Sequence, residues 1–162
     1  MRTATSATTT LERRPAATLL AGGLIVGTLD LLFAWGYWVR HGATLPRILR
    51  SIAEGWYGKA SHDMGTMSAV VGAVSHYFIA IAFVVAYWLA ARRLPALLAH
   101  PYRYGLVYGL LLYAAMNFVV LPLSAAGMPA FADHAWVGAS IVAHALLGVV
   151  CALFARIISG RG

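Results

Sequence analysis

The chain has 162 residues, 61% of them hydrophobic and only 10% charged. A water-soluble domain of this size carries about 25% charged residues, so charge here is too scarce to coat a water-facing surface. The composition therefore excludes an ordinary soluble domain and indicates one integral membrane domain. The net charge of +7 does not signal a nucleic-acid partner, because the 12 Lys and Arg sit at segment ends and in loops, not in a stripe alternating with aromatics.

Residues 1–16, rich in Thr and Ala and holding three arginines, are expected to form a mobile basic tail. The first apolar run, about residues 17–39, competes with a cleaved signal peptide, since Arg13 and Arg14 precede it. It is longer than the ~7–15-residue core of such signals, contains Asp30 and lacks a small-residue cleavage site, so it reads as a retained span.

The connection that follows is patterned. Pro46 suits a first helical turn, and over residues 46–57 Ile48, Leu49, Ile52 and Trp56 share one helical face. Arg47, Arg50, Ser51 and Glu54 lie on another, with Arg50 and Glu54 spaced i,i+4. This predicts a short helix that lies in the membrane interface or forms a lid over the bundle.

Further spans are expected at about 67–91, 104–124 and 136–158, each near the ~20 residues needed to cross a bilayer, followed by a short tail over 159–162. Trp and Tyr mark several ends, as amphipathic rings do at membrane–water boundaries. Gly23 with Gly27, Gly105 with Gly109, and Ala139 with Ala143 have the small-xxx-small spacing of close helix contacts, within one chain or between copies. Pro122 is expected to kink or end the third span. The single cysteine, Cys151, excludes an internal disulfide and reads as a packing residue. The expected fold class is all-α: a polytopic membrane protein with four transmembrane helices as a bundle plus the short interfacial helix.

Orientation follows from the basic residues. Arg13, Arg14, Arg92, Arg93, Arg103, Arg156 and Arg161 fall on one side, and the third connection has no Lys or Arg. The positive-inside rule then puts both termini in the cytoplasm of a bacterial inner membrane, although Arg40, Arg47, Arg50 and Lys59 in the first connection pull the other way.

Each span carries one strongly polar side chain at nearly the same depth: Asp30, His76, Asn117 and His144. Each lies about seven to nine residues from the outer end, or ~10–14 Å at ~1.5 Å per residue, close to the middle of the hydrocarbon core. Polar groups there cost free energy unless partnered, so one per helix at one level suggests a shared internal layer. The two halves also match as hairpins with Asp or Asn first and His second, a pattern an internal duplication would leave. A connected layer would make Asp30→Leu destabilising, by stripping the histidines of a partner.

Three roles suit such a layer. In the leading reading it fixes helix register in a non-enzymatic scaffold or stress-associated membrane component. In the alternative, Asp30 exchanges protons with His76 or His144 as relay, and protons or a small solute pass through a homo-oligomer. In the third, His76 and His144 are axial ligands of a b-type haem. A separate metal idea places His62, Asp63, Met64 and Met67 opposite Met128, Asp133 and His134, a thioether and imidazole set suited to Cu(I). No phosphate loop, HExxH, CxxC or nucleophile elbow occurs, so no catalytic residue is assigned and no cofactor is required.

Residues 74–87, Val74-Ser75-His76-Tyr77-Phe78 onward, resemble small bacterial inner-membrane proteins, the YagU-like family being the nearest named group. The Pro46-Arg47 loop, the Gly-rich start of the third span and the His144 segment add to the likeness. The resemblance implies a four-helix inner-membrane protein and, because one member of that family is linked to acid resistance, slightly favours proton-related physiology. It carries over no functional residue.

Overall fold

Runs of Leu, Val, Ala and Ile this long can satisfy their backbone hydrogen bonds in lipid only as helices. The structure is a computed structural model that describes residues 15–160, and among these it contains helices and turns without strands. Four helical stretches are long and apolar enough to cross a membrane: Pro15–His41, Thr66–Arg93, Pro101–Leu123 and His134–Ile158. The sequence-based boundaries agree to within about three residues. Pro15 and Ala16, assigned to the tail from sequence, form the first turn of the first helix, and the rest of that tail lies outside the described residues.

Helix α1 spans Pro15–Trp38 and ends in a 3₁₀ turn stopped by Gly42 at φ +75°. Helix α2, Leu45–Tyr57, is the amphipathic segment, with Pro46 in its first turn. Helix α3 covers Thr66–Arg93, and the short α4, Ala96–Ala99, leads into α5, Pro101–Ala115. The third span does not break at Pro122. It continues through a π-helical turn, Met116–Val120, into α6, Leu121–Leu123. Proline has no N–H to give the Phe118 carbonyl, and its ring crowds that carbonyl, so the backbone widens one turn earlier. Helix α7, His134–Ile158, closes the chain.

Helix α7 packs against α5, α1 and α3, while α2 packs on α3. Glycines decide how closely. A Cβ on Gly27 would meet the Tyr77 ring at 2.8 Å, and one on Gly23 would run into Ile81, so this pair seats α3 on α1. A Cβ on Gly105 would lie 2.6 Å from the Val149 Cα, and Gly109 abuts the His144 carbonyl, which locks α5 onto α7 with Gly148 facing them. Both glycine pairs thus make contacts inside one chain. Gly72 lets the Leu49 carbonyl of α2 lie directly against α3.

The two ends of the molecule are packed differently. Toward the chain termini a solid core forms around Val84, Tyr87, Leu98, Cys151 and Ala155. Tyr87 and Tyr108 there donate to the Leu97 and Phe83 carbonyls at 3.0 and 2.8 Å. Toward α2 the same helices enclose a cavity. At that end Trp136 stacks on Phe33 with centroids 5.3 Å apart and packs against Tyr37 and Trp38, joining α1 to α7.

Candidate functional site

Asp30, His76, Asn117 and His144 all line one cavity of about 1230 Å³, each from a different span. The glycine contacts explain how they converge. Gly27 and Gly23 draw α3 onto α1 on the face that carries His76, and Gly109 draws α5 onto the backbone of His144 itself. Asn117 sits inside the π turn, where the widened backbone re-aims side chains.

Within the cavity the four do not bond to one another. His76 donates from Nε2 to the Gly27 carbonyl at 2.7 Å, the one hydrogen bond of the set that crosses between helices, while the His144 ring meets Tyr113 of α5 edge-on with centroids 5.5 Å apart. His144 donates from Nδ1 to the Ser140 carbonyl of its own helix at 2.9 Å, and Asn117 donates from Nδ2 to the Tyr113 carbonyl, also 2.9 Å. Asp30 has no hydrogen-bond or ion-pair partner among the described residues.

These bonds fix the chemistry left over. A carbonyl can only accept, so the bonded nitrogen of each neutral imidazole carries the proton and the other ring nitrogen is a lone-pair acceptor. The same logic orients the Asn117 amide, with Nδ2 toward Tyr113 and Oδ1 free. The open valences of the layer are therefore mostly acceptors: the Asp30 carboxylate, His76 Nδ1, His144 Nε2 and Asn117 Oδ1.

The remaining walls are mostly apolar and partly open. Val74 and Phe78 of α3 are 66% and 71% exposed, and Leu123 of α6 is 84% exposed, yet all three line the cavity. It thus reaches the exterior sideways between α3 and the end of the third span. Helix α2 lies along this opening and bridges it: Trp56 donates from Nε1 to Ser75 Oγ at 2.9 Å, and Ala125 N–H donates to the Gly55 carbonyl at 3.0 Å. Arg47, His41 and Ser51 line the same space near its α2 end.

A second cavity of about 300 Å³ adjoins the first, sharing Asn117, Trp38, Trp136 and Ser140. The loop before α7 covers it, turning at Phe131, whose φ of +49° is unusual for a side chain of that size. Asp133 anchors the loop. It caps α7 by accepting from Trp136 N–H at 2.9 Å and takes the Tyr37 hydroxyl at 3.0 Å. The Trp136 N–H, opposed by burial and joined by the Tyr37 hydroxyl, holds the Asp133 carboxyl below the usual aspartate range.

The other residues picked from sequence take separate roles. His62 lies 2.6 Å from Glu54 Oε1 across the turn that follows α2, so Glu54 pairs with His62 and not with Arg50. Met64, Met67 and His134 are exposed, Asp63 caps a 3₁₀ turn, and Asp133 caps α7. Among the described residues no group of three or more His, Cys, Asp or Glu side chains is placed to hold a metal ion. Arg47 reaches the cavity, while Arg50 has its Nε buried with no partner. Ser140, Trp38 and Trp136 were not singled out from sequence. Trp38 and Trp136 showed only as end-of-span aromatics, and Ser140 has no signal beyond lying one turn before His144.

Comparison with known protein families, curated proteins and solved structures finds no match to this chain.

Proposed function

We propose that the chain is a non-enzymatic, multi-pass inner-membrane protein that admits a small solute to an intramembrane site ringed by Asp30, His76, Asn117 and His144. One observation carries this reading: the four side chains come from four different spans, share one cavity, and keep unused hydrogen-bonding capacity toward it. A purely register-fixing layer would spend that capacity on bonds between helices, and only His76 does so. In the same reading the four long helices form a transmembrane bundle with both termini cytoplasmic. Helix α2 then lies at the outer interface, with Arg47 at the α2 end of the cavity.

The lone native cysteine makes the test clean, because Cys151 is 0% exposed. Single cysteines at Asn117 and His144 should react with a small membrane-impermeant thiol reagent added to the α2 side of sealed vesicles. A cysteine at the lipid-facing Leu111 should not. Equal protection of all three positions would end the solute-site reading.

A second reading is favoured for His76 alone. Its bond to Gly27 lies where the Gly23–Gly27 pair seats α3, so this histidine also serves as a structural tie.

A further inference from the structure

We infer that the cavity takes a cationic amphiphile, with an ammonium-type head against Asp30 and an apolar tail leaving between α3 and α6. The inference deepens the solute-site reading and rests on it.

Charge and hydrogen-bond polarity both point to a cation. A carboxylate midway along a membrane-spanning helix is costly to keep ionised, and a counter-charge offsets that cost. No such partner is supplied: Asp30 makes no ion pair among the described residues, and Arg47, the other fully charged side chain lining the cavity, does not reach it. The N–H groups of His76 and His144 and one of the two on Asn117 are spent on carbonyls, so the ring around Asp30 offers its guest mostly acceptors, the Arg47 guanidinium lying apart from it toward α2. An anion or a carbonyl-rich guest would meet mostly lone pairs. A donor-rich or positively charged head is met correctly at that ring.

The tail follows from the opening. Around the polar ring the lining turns to Val26, Leu31, Ile79, Leu112, Met116 and Leu147, and the exit is framed by Val74, Phe78 and Leu123. A fully hydrated cation would leave those surfaces facing water. A cation carrying hydrocarbon covers them, and a path running sideways suits a guest already dissolved in the bilayer.

Two ions of the same size and shape but opposite charge, tetraphenylphosphonium and tetraphenylborate, test the idea on the full chain in lipid nanodiscs. Equilibrium binding is measured by dialysis, with protein-free discs subtracted to remove partitioning into lipid. Saturable binding of the phosphonium, with at least tenfold weaker binding of the borate and at least tenfold loss in Asp30→Asn, is the expected result. Should Asp30→Asn fail to fold, the preference of the unaltered protein between the two ions still decides. Preferred binding of the borate, or equal binding of both, overturns the cation assignment while the solute site stands. Absence of saturable binding for either ion, together with thiol protection at Asn117 and His144, overturns the site itself.

Discussion

The imidazole of His76 on α3 donates its Nε2 proton to the main-chain carbonyl of Gly27 on α1 at 2.7 Å, on the helix face that Gly27 keeps clear of any side chain. The contact is therefore a joint between two spans as well as a wall of the cavity. His144, by contrast, is tethered within its own helix.

That asymmetry separates the two histidines in stability. His76→Ala should lower the thermal midpoint in mild detergent by an amount matching ~0.6 to ~1.7 kcal/mol, the range for hydrogen bonds between membrane helices. His144→Ala, which removes an edge-on ring contact with Tyr113 but no hydrogen bond between helices, should change it by less. Equal destabilisation by the two substitutions would remove the joint.

Asp30 reverses the expectation drawn from sequence. A connected layer made Asp30→Leu damaging, but Asp30 holds neither histidine in place. Both Asp30→Asn and Asp30→Leu should therefore fold with unchanged or higher thermal stability, since an unpaired carboxylate midway along an apolar helix is removed. A clear loss in Asp30→Leu alone, measured by thermal unfolding in detergent, would restore the connected layer.

The close approach at Gly72 is equally open to test. In Gly72→Ala the added methyl overlaps the Leu49 carbonyl, a main-chain atom that cannot rotate away. Helix α2 must lift from α3 at a cost of about 1–3 kcal/mol, as for other overpacked contacts. Loss of the Trp56–Ser75 hydrogen bond should appear as a red shift of Trp56 emission, read in a variant whose other tryptophans are Phe, and as faster proteolysis within α2. An unshifted spectrum and unchanged cleavage would show that α2 is not held there.

The Asp133 cap gives a pH signature of defined sign. Its carboxyl is held below the ordinary value of 3.8, first by the Trp136 N–H, so the anion is favoured by folding. The stabilisation is fully present above the unfolded pKa and is lost as pH falls through the lower folded value. The advantage of the native protein over Asp133→Asn should be constant above ~pH 5 and shrink below ~pH 4. A difference independent of pH over that range would mean the charge contributes nothing.

Haem is the one cofactor the two histidines raise. His76 has committed Nε2 and offers only Nδ1, the nitrogen crowded by its own side-chain stem. Protein purified from haem-replete cells should have a featureless visible spectrum. A Soret band abolished by His144→Ala would overturn this.

The sequence disclosed those parts of the architecture that depend on regular periods. Uninterrupted apolar runs marked the four long helices, a two-faced segment marked α2, and glycine spacing marked the close contacts. Common depth was the sequence signal for Asp30, His76, Asn117 and His144, which line one cavity. Partner choice was not legible, because it turns on ångström-scale geometry: Arg50 and Glu54 had the right spacing, yet the turn after α2 delivers His62 to Glu54 instead. Asp133 was weighed as a metal ligand when its place just before a helix start marked it as a cap. The π turn was foreshadowed only by Pro122.

That turn has a mechanical consequence. A π turn amounts to one extra residue in an α-helix, and each residue advances the helix by about 100°, so everything after Met116 is rotated relative to Gly105 and Gly109. The lower part of the third span is clamped to α7, whereas the upper part turns Asn117 to the cavity and hands Ala125 to α2. The span behaves as two shafts joined by a coupling. Resetting that coupling by one residue would swing Asn117 and the gap beside Leu123 around the helix axis, leaving the clamp below untouched.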